Sequence, residues 1–163
     1  MRLYLIGMPG CGKSTLGKRL AKEINYEFID MDIYIEKQAG MFIDEIFEAY
    51  GEDFFRALET NVLKEFLQMD NVIIATGGGV IKNKSNKKLM DGKCIFLNVP
   101  TDVLQVRLDE STIVRPLLKT KTVDELYNER KDLYDYFSDI SVDNIDVAKA
   151  IDTIKEKLLW KRF

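Results

Sequence analysis

Histidine is absent from this 163-residue chain, so no imidazole is available as a general base or metal ligand. The 2 cysteines, Cys11 and Cys94, are too few for a disulfide framework and lack metal-binding spacing, a usage that predicts a cytoplasmic protein. Long hydrophobic runs are missing too: residues 72–75 and 94–97 fall far short of the roughly 18 that a spanning helix needs. Residues 2–6 pass straight into a glycine-rich turn without a cleavage-type region and read as a first strand, not a signal peptide. Charge of one sign is not in excess. The 24 basic and 27 acidic residues leave a net −3, which argues against coating nucleic acid or an anionic membrane. With 3 prolines, 10 glycines, 46 % hydrophobic and 31 % charged residues, disorder and fibrous architectures drop out. The length predicts one domain over 1–163, at about 100–200 residues per domain.

What is present is an alternation. Short apolar runs at residues 3–6, 27–29, 71–75, 93–99 and 140–142 predict strands. Between and after them Leu16, Leu20 and Ile24, then Phe55, Val62, Phe66 and Met69, then Val147, Ile151, Ile154 and Leu158 recur at helical spacing. Alternating strands and helices select a parallel α/β sheet covered on both faces, with ligands beyond the carboxyl ends of the strands. The lysine-rich stretch 82–88 reads as a solvated loop and helix start.

Two glycine clusters follow predicted strands directly. The first, GMPGCGKST at 7–15, fulfils G-x-x-x-x-G-K-[ST] between a strand and a helix, the context a P-loop requires. Its backbone N–H groups, from Gly10, Cys11 and Gly12 through Ser14 and Thr15, are suited to wrap phosphate oxygens. Lys13 supplies positive charge, and Ser14 a hydroxyl for Mg²⁺. The second cluster is Gly77, Gly78 and Gly79.

A P-loop specifies a nucleotide, not a reaction. Strand two runs into Asp30 and Asp32, two carboxylates that share a face if the strand continues, one suited to Mg²⁺ and one to a substrate hydroxyl. On local pattern Asp32 is equally a helix cap for Ile33. Glu59 interrupts the apolar stripe of residues 55–69, with Arg56 in reach at i, i+3; Arg130 interrupts two stripes of 122–138. Internal ion pairs are one explanation. Beside a nucleotide site, two inward arginines also suit a small carboxylate. Residues 110–122 have polar ends and no helical periodicity at their centre. Pro116 keeps Arg115 out of helical geometry, so this segment reads as a lid.

In order, GMPGCGKST, FIDMD at 28–32, GEDFFRALE at 51–59, ATGGG at 75–79, VRPLL at 114–118 and ERKDLY at 129–134 resemble the shikimate kinases, over most of the chain. The resemblance implies a P-loop fold like that of nucleoside-monophosphate kinases, with sheet order 2-3-1-4-5, an acceptor region at about 32–60 and a monomer. It implies ATP and shikimate as substrates, with Mg²⁺, in the pathway to chorismate and aromatic amino acids. Asp30 is similar to the magnesium-associated aspartate and Asp32 to the candidate base on the shikimate hydroxyls. Arg56 and Arg130 match the carboxylate-holding arginines, and Gly77–Gly79 the turn standing in for a Walker B motif. Arg115 matches the lid arginine. In the loop after the last strand, 142–146 departs from the family's adenine-contacting pattern, which leaves Arg107 as the residue to stack on the base. A gluconate-type kinase or a catalytically silent relative are the alternatives, the latter opposed by intact Lys13, Asp32, Arg56, Arg115 and Arg130.

Overall fold

Strand β1 (Arg2–Ile6) buries Leu3, Tyr4, Leu5 and Ile6 in succession, as a strand covered on both faces must. The same holds for β3 (Val72–Ala75) and for Cys94 to Leu97 within β4 (Lys93–Asn98). With β2 (Glu27–Asp30) and β5 (Ile140–Asp143) at the edges, the order is β2-β3-β1-β4-β5, all pairs parallel, as the resemblance implied. The structure, a computed structural model, describes residues 1–112, 118 and 120–159. The centre of the segment expected as a lid, Arg115 included, lies outside the described residues.

Helix α1 (Lys13–Ile24) packs Leu16, Leu20 and Ala21 into the core. The chain between β2 and β3 forms α2 (Met31–Ala39), α3 (Ile43–Tyr50) and α4 (Glu52–Phe66). Met69 lies beyond α4 and not in the helical stripe: Leu67 and Gln68 donate to Lys64 and Glu65 three residues back, which tightens and ends the helix. Asn71, at φ 52, is a left-handed turn residue, so β3 begins one residue later than its apolar run suggests. The lysine-rich stretch resolves into a 3-10 turn (Val80–Lys82) and the short α5 (Asn86–Leu89).

Helix α6 (Thr101–Asp109) follows β4, and α7 (Val123–Phe137) is capped by the Thr122 hydroxyl, which accepts from Glu125 N at 3.1 Å. The chain then passes through β5 into α8 (Val147–Ile154). Among the described residues no helix is long and apolar enough to cross a membrane.

Candidate active site

Beyond the carboxyl ends of the strands lies a cavity of about 950 Å³. Every described residue expected in the site lines it except Cys11, which is buried, with its N–H donating to Met8 O at 3.0 Å.

The P-loop leaves β1 and enters α1 at Gly12, whose φ of 91° is left-handed and which no side chain caps. A Cβ there would also lie 2.6 Å from Asn144 Nδ2, so only glycine fits. The first turn of α1 holds no acidic residue, and its N–H groups and positive dipole end suit an anion. Lys13 Nζ folds back on the loop, donating to Gly7 O at 2.8 Å and Met8 O at 3.3 Å.

Asn144 belongs to this cradle although its sequence context gives no sign of it. Its Nδ2 donates to Cys11 O at 2.7 Å, while Arg107 donates through Nη1 to Gly10 O at 3.2 Å and through Nη2 to Asn144 O at 2.8 Å. Carbonyls of the P-loop are thus tied to α6 and to the β5–α8 loop. Arg107, expected against the base, is held by backbone carbonyls at the cavity wall.

The two aspartates separate in role. Helix α2 begins at Met31 with Asp30 as its cap: Oδ1 accepts from Asp32 N at 3.1 Å and Ile33 N at 3.2 Å, and Oδ2 accepts from Ser14 Oγ at 2.7 Å. Asp32 is therefore not the cap suggested by local pattern, nor does the strand continue to it. It sits in the first turn with its carboxylate at the cavity, where burial, and next the Asp30 charge, push its pKa up to about 6 against the pull of Lys13. Ser14 Oγ and Asp30 Oδ2 are oxygen donors suited to Mg²⁺, which keeps waters and phosphate oxygens rather than needing a protein cage. Among the described residues no cluster of three His, Cys, Asp or Glu offers such a cage.

Also lining the cavity, Arg56 donates through Nη1 to Glu59 Oε1 at 2.5 Å, and Arg130 through Nη1 to Gly78 O at 2.8 Å. A Cβ on Gly79 would overlap the Arg56 guanidinium, so the glycine turn lets that arginine lie flat against backbone. A Cβ on Gly77 would stand 2.5 Å from Glu59 Oε2 and 2.9 Å from Asp32 Oδ1, so both carboxylates converge on that residue. Glu59 is fully buried and its Oε2 has no hydrogen-bond partner among the described residues. Burial pushes its pKa up to about 7 in spite of Arg56. Asp32, Arg56, Glu59, Gly77, Gly78, Gly79 and Arg130 are therefore gathered as expected from the sequence, and Glu52, outside the cavity lining, contacts Arg56.

A phosphate cradle and a small-anion pocket sharing one cavity at the edge of a 2-3-1-4-5 sheet define a P-loop kinase with a small-molecule acceptor. The shikimate kinase family model matches residues 9–159. A shikimate kinase of Clostridium botulinum (strain Alaska E43 / Type E3) is 42 % identical over 163 residues, covering 97 % of each chain. Among solved structures, shikimate kinase from Bacteroides thetaiotaomicron superposes with a TM-score of 0.87 at 35 % identity, over 97 % of this chain and 98 % of that one. Shikimate kinase from Acinetobacter baumannii in complex with shikimate gives 0.87 at 28 % identity, over 99 % and 94 %. The chain belongs to the shikimate kinase family.

Proposed function

We propose that the chain transfers the γ-phosphoryl group of ATP to the 3-hydroxyl of shikimate, giving shikimate 3-phosphate and ADP. The observation that carries this reading is that the P-loop, Asp32, Arg56 and Arg130 line one cavity. The related Acinetobacter enzyme has been solved with shikimate bound.

In this reading Arg56 and Arg130 hold the shikimate carboxylate, and the N–H groups of the glycine turn flank the ring. Asp32 then receives the 3-hydroxyl. Its carboxyl, at about 6, is ionised at neutral pH and accepts the hydroxyl proton as the new O–P bond forms and the β–γ bridging bond of ATP breaks. Phosphoryl transfer through a loose transition state depends on positioning and charge more than on covalent help. Lys13 exchanges its two loop carbonyls for phosphate oxygens, and the α1 N-terminus adds positive potential. Ser14 and Asp30 would hold a Mg²⁺ ion accompanying ATP, which would supply further charge neutralisation on the phosphates. Arg115 is assigned to the transferring phosphoryl group by its match to the family's lid arginine.

ADP release coupled to shikimate consumption tests the reading. Turnover with shikimate, lost in Asp32→Asn, is expected; turnover with gluconate or a nucleoside monophosphate but not shikimate overturns it.

A further inference from the structure

Arg56 meets two carboxylates, and they differ in kind. Glu59, buried, takes Nη1 at 2.5 Å. Glu52, the first residue of α4 and 37 % exposed, offers one oxygen, Oε1, to both Nε at 3.4 Å and Nη2 at 3.3 Å. That same oxygen accepts from Lys82 Nζ at 2.7 Å. The Lys82 contact is the shorter, and it is the first cause holding the Glu52 carboxyl below its usual range. The Nε–Nη2 edge of a guanidinium is built to grip both oxygens of a carboxylate in parallel. Here one shared oxygen, at long hydrogen-bond distance, fills it.

We infer that Glu52 is a displaceable stand-in for the substrate's carboxylate, occupying the Nε–Nη2 edge of Arg56 until the substrate takes that edge over and Glu52 remains with Lys82. This rests on reading Arg56 as the carboxylate-binding arginine. Arg56, largely buried against the Phe55 ring, 5.2 Å from its centroid, is anchored through Nη1 by Glu59, which leaves the Nε–Nη2 edge to the looser Glu52. A loosely held, partly exposed partner is readily exchanged. Substrate affinity is then a competition between two carboxylates for one edge. Lys82, on the turn after the glycine cluster, tunes that competition by keeping hold of Glu52.

The test is a double-mutant cycle of Glu52→Gln and Lys82→Met, read as KM for shikimate with kcat followed separately. Removing the competitor should lower KM by about threefold to fivefold, the scale of a partly exposed ion pair, with the change carried by KM. Lys82→Met alone should raise KM, because Glu52 then turns wholly to Arg56, and should have no effect in the Glu52→Gln background. Binding of the alcohol in which the shikimate carboxylate is reduced to CH₂OH should not respond to Glu52→Gln. An unchanged or raised KM in Glu52→Gln overturns the inference. So do additive effects of the two substitutions, which indicate a general field effect, and so does an equal response of the alcohol. If the unaltered chain turns over no shikimate at all, it is the proposed function that fails.

Discussion

Ser14 and Asp30, 16 residues apart in the chain, meet through a 2.7 Å hydrogen bond between the P-loop helix and the cap of α2. The contact joins the nucleotide side of the cavity to the acceptor side, and it pairs the two oxygens assigned to Mg²⁺. Asp30→Asn retains a residue that caps helices well while removing the negative charge. It should raise the Mg²⁺ concentration for half-maximal activity by about 10–100-fold, the scale of disturbing a metal's supporting groups, with little change in melting temperature. A magnesium titration of initial rates checks this; an unchanged requirement makes Asp30 a structural cap only.

Asp32 gives a prediction on stability as well as rate. Its carboxyl titrates near 6 in the fold against about 3.9 unfolded, so between those values the folded state binds more protons than the unfolded one. Stability contributed by the neutral carboxyl is present below pH 4 and lost as pH rises through 6. Asp32→Asn should thus raise the melting temperature at pH 8 by several degrees and leave it nearly unchanged at pH 4. In the unaltered enzyme kcat/KM for shikimate should climb from pH 5 to 7. Thermal melts at both pH values and a pH-rate profile read both effects.

Much of this site was legible because its residues break local rules. Glu59 and Arg130 stand where apolar stripes demand hydrophobes, and a P-loop motif fixes its local geometry on its own. Asp30 and Asp32 were harder, because both suit a helix start and only the backbone, turning at Met31, decides which one caps. Asn144 gave no signal, and of Glu52 only the i, i+4 spacing to Arg56 is legible. Their partners, Cys11 across 133 residues and Lys82 across 30, are brought near by the packing of loops on the sheet, and no local periodicity encodes that.

The paired arginines predict a loss confined to one substrate. Arg56→Lys and Arg130→Lys each replace a planar fork by a point charge and should weaken shikimate binding by about 1.5–3 kcal/mol. The KM for ATP should hardly move. Calorimetry with shikimate and steady-state kinetics with each substrate varied check this; equal losses for ATP would make the arginines structural.

Asn144 predicts the converse. Asn144→Asp sets an acceptor against Cys11 O in place of a donor and should raise the KM for ATP more than Asn144→Ala does, with shikimate affinity retained. If both variants bind ATP normally, the P-loop holds its shape without the tie to β5.

The central claim is that one cavity delivers ATP's γ-phosphoryl group to shikimate, and the most direct measurement is the product itself. Phosphorus NMR of a reaction holding ATP, Mg²⁺ and equal shikimate, gluconate and a nucleoside monophosphate should show a single new phosphomonoester on the shikimate 3-hydroxyl, matched by ADP. A phosphomonoester on gluconate, a nucleoside diphosphate derived from the monophosphate, or inorganic phosphate alone would contradict it.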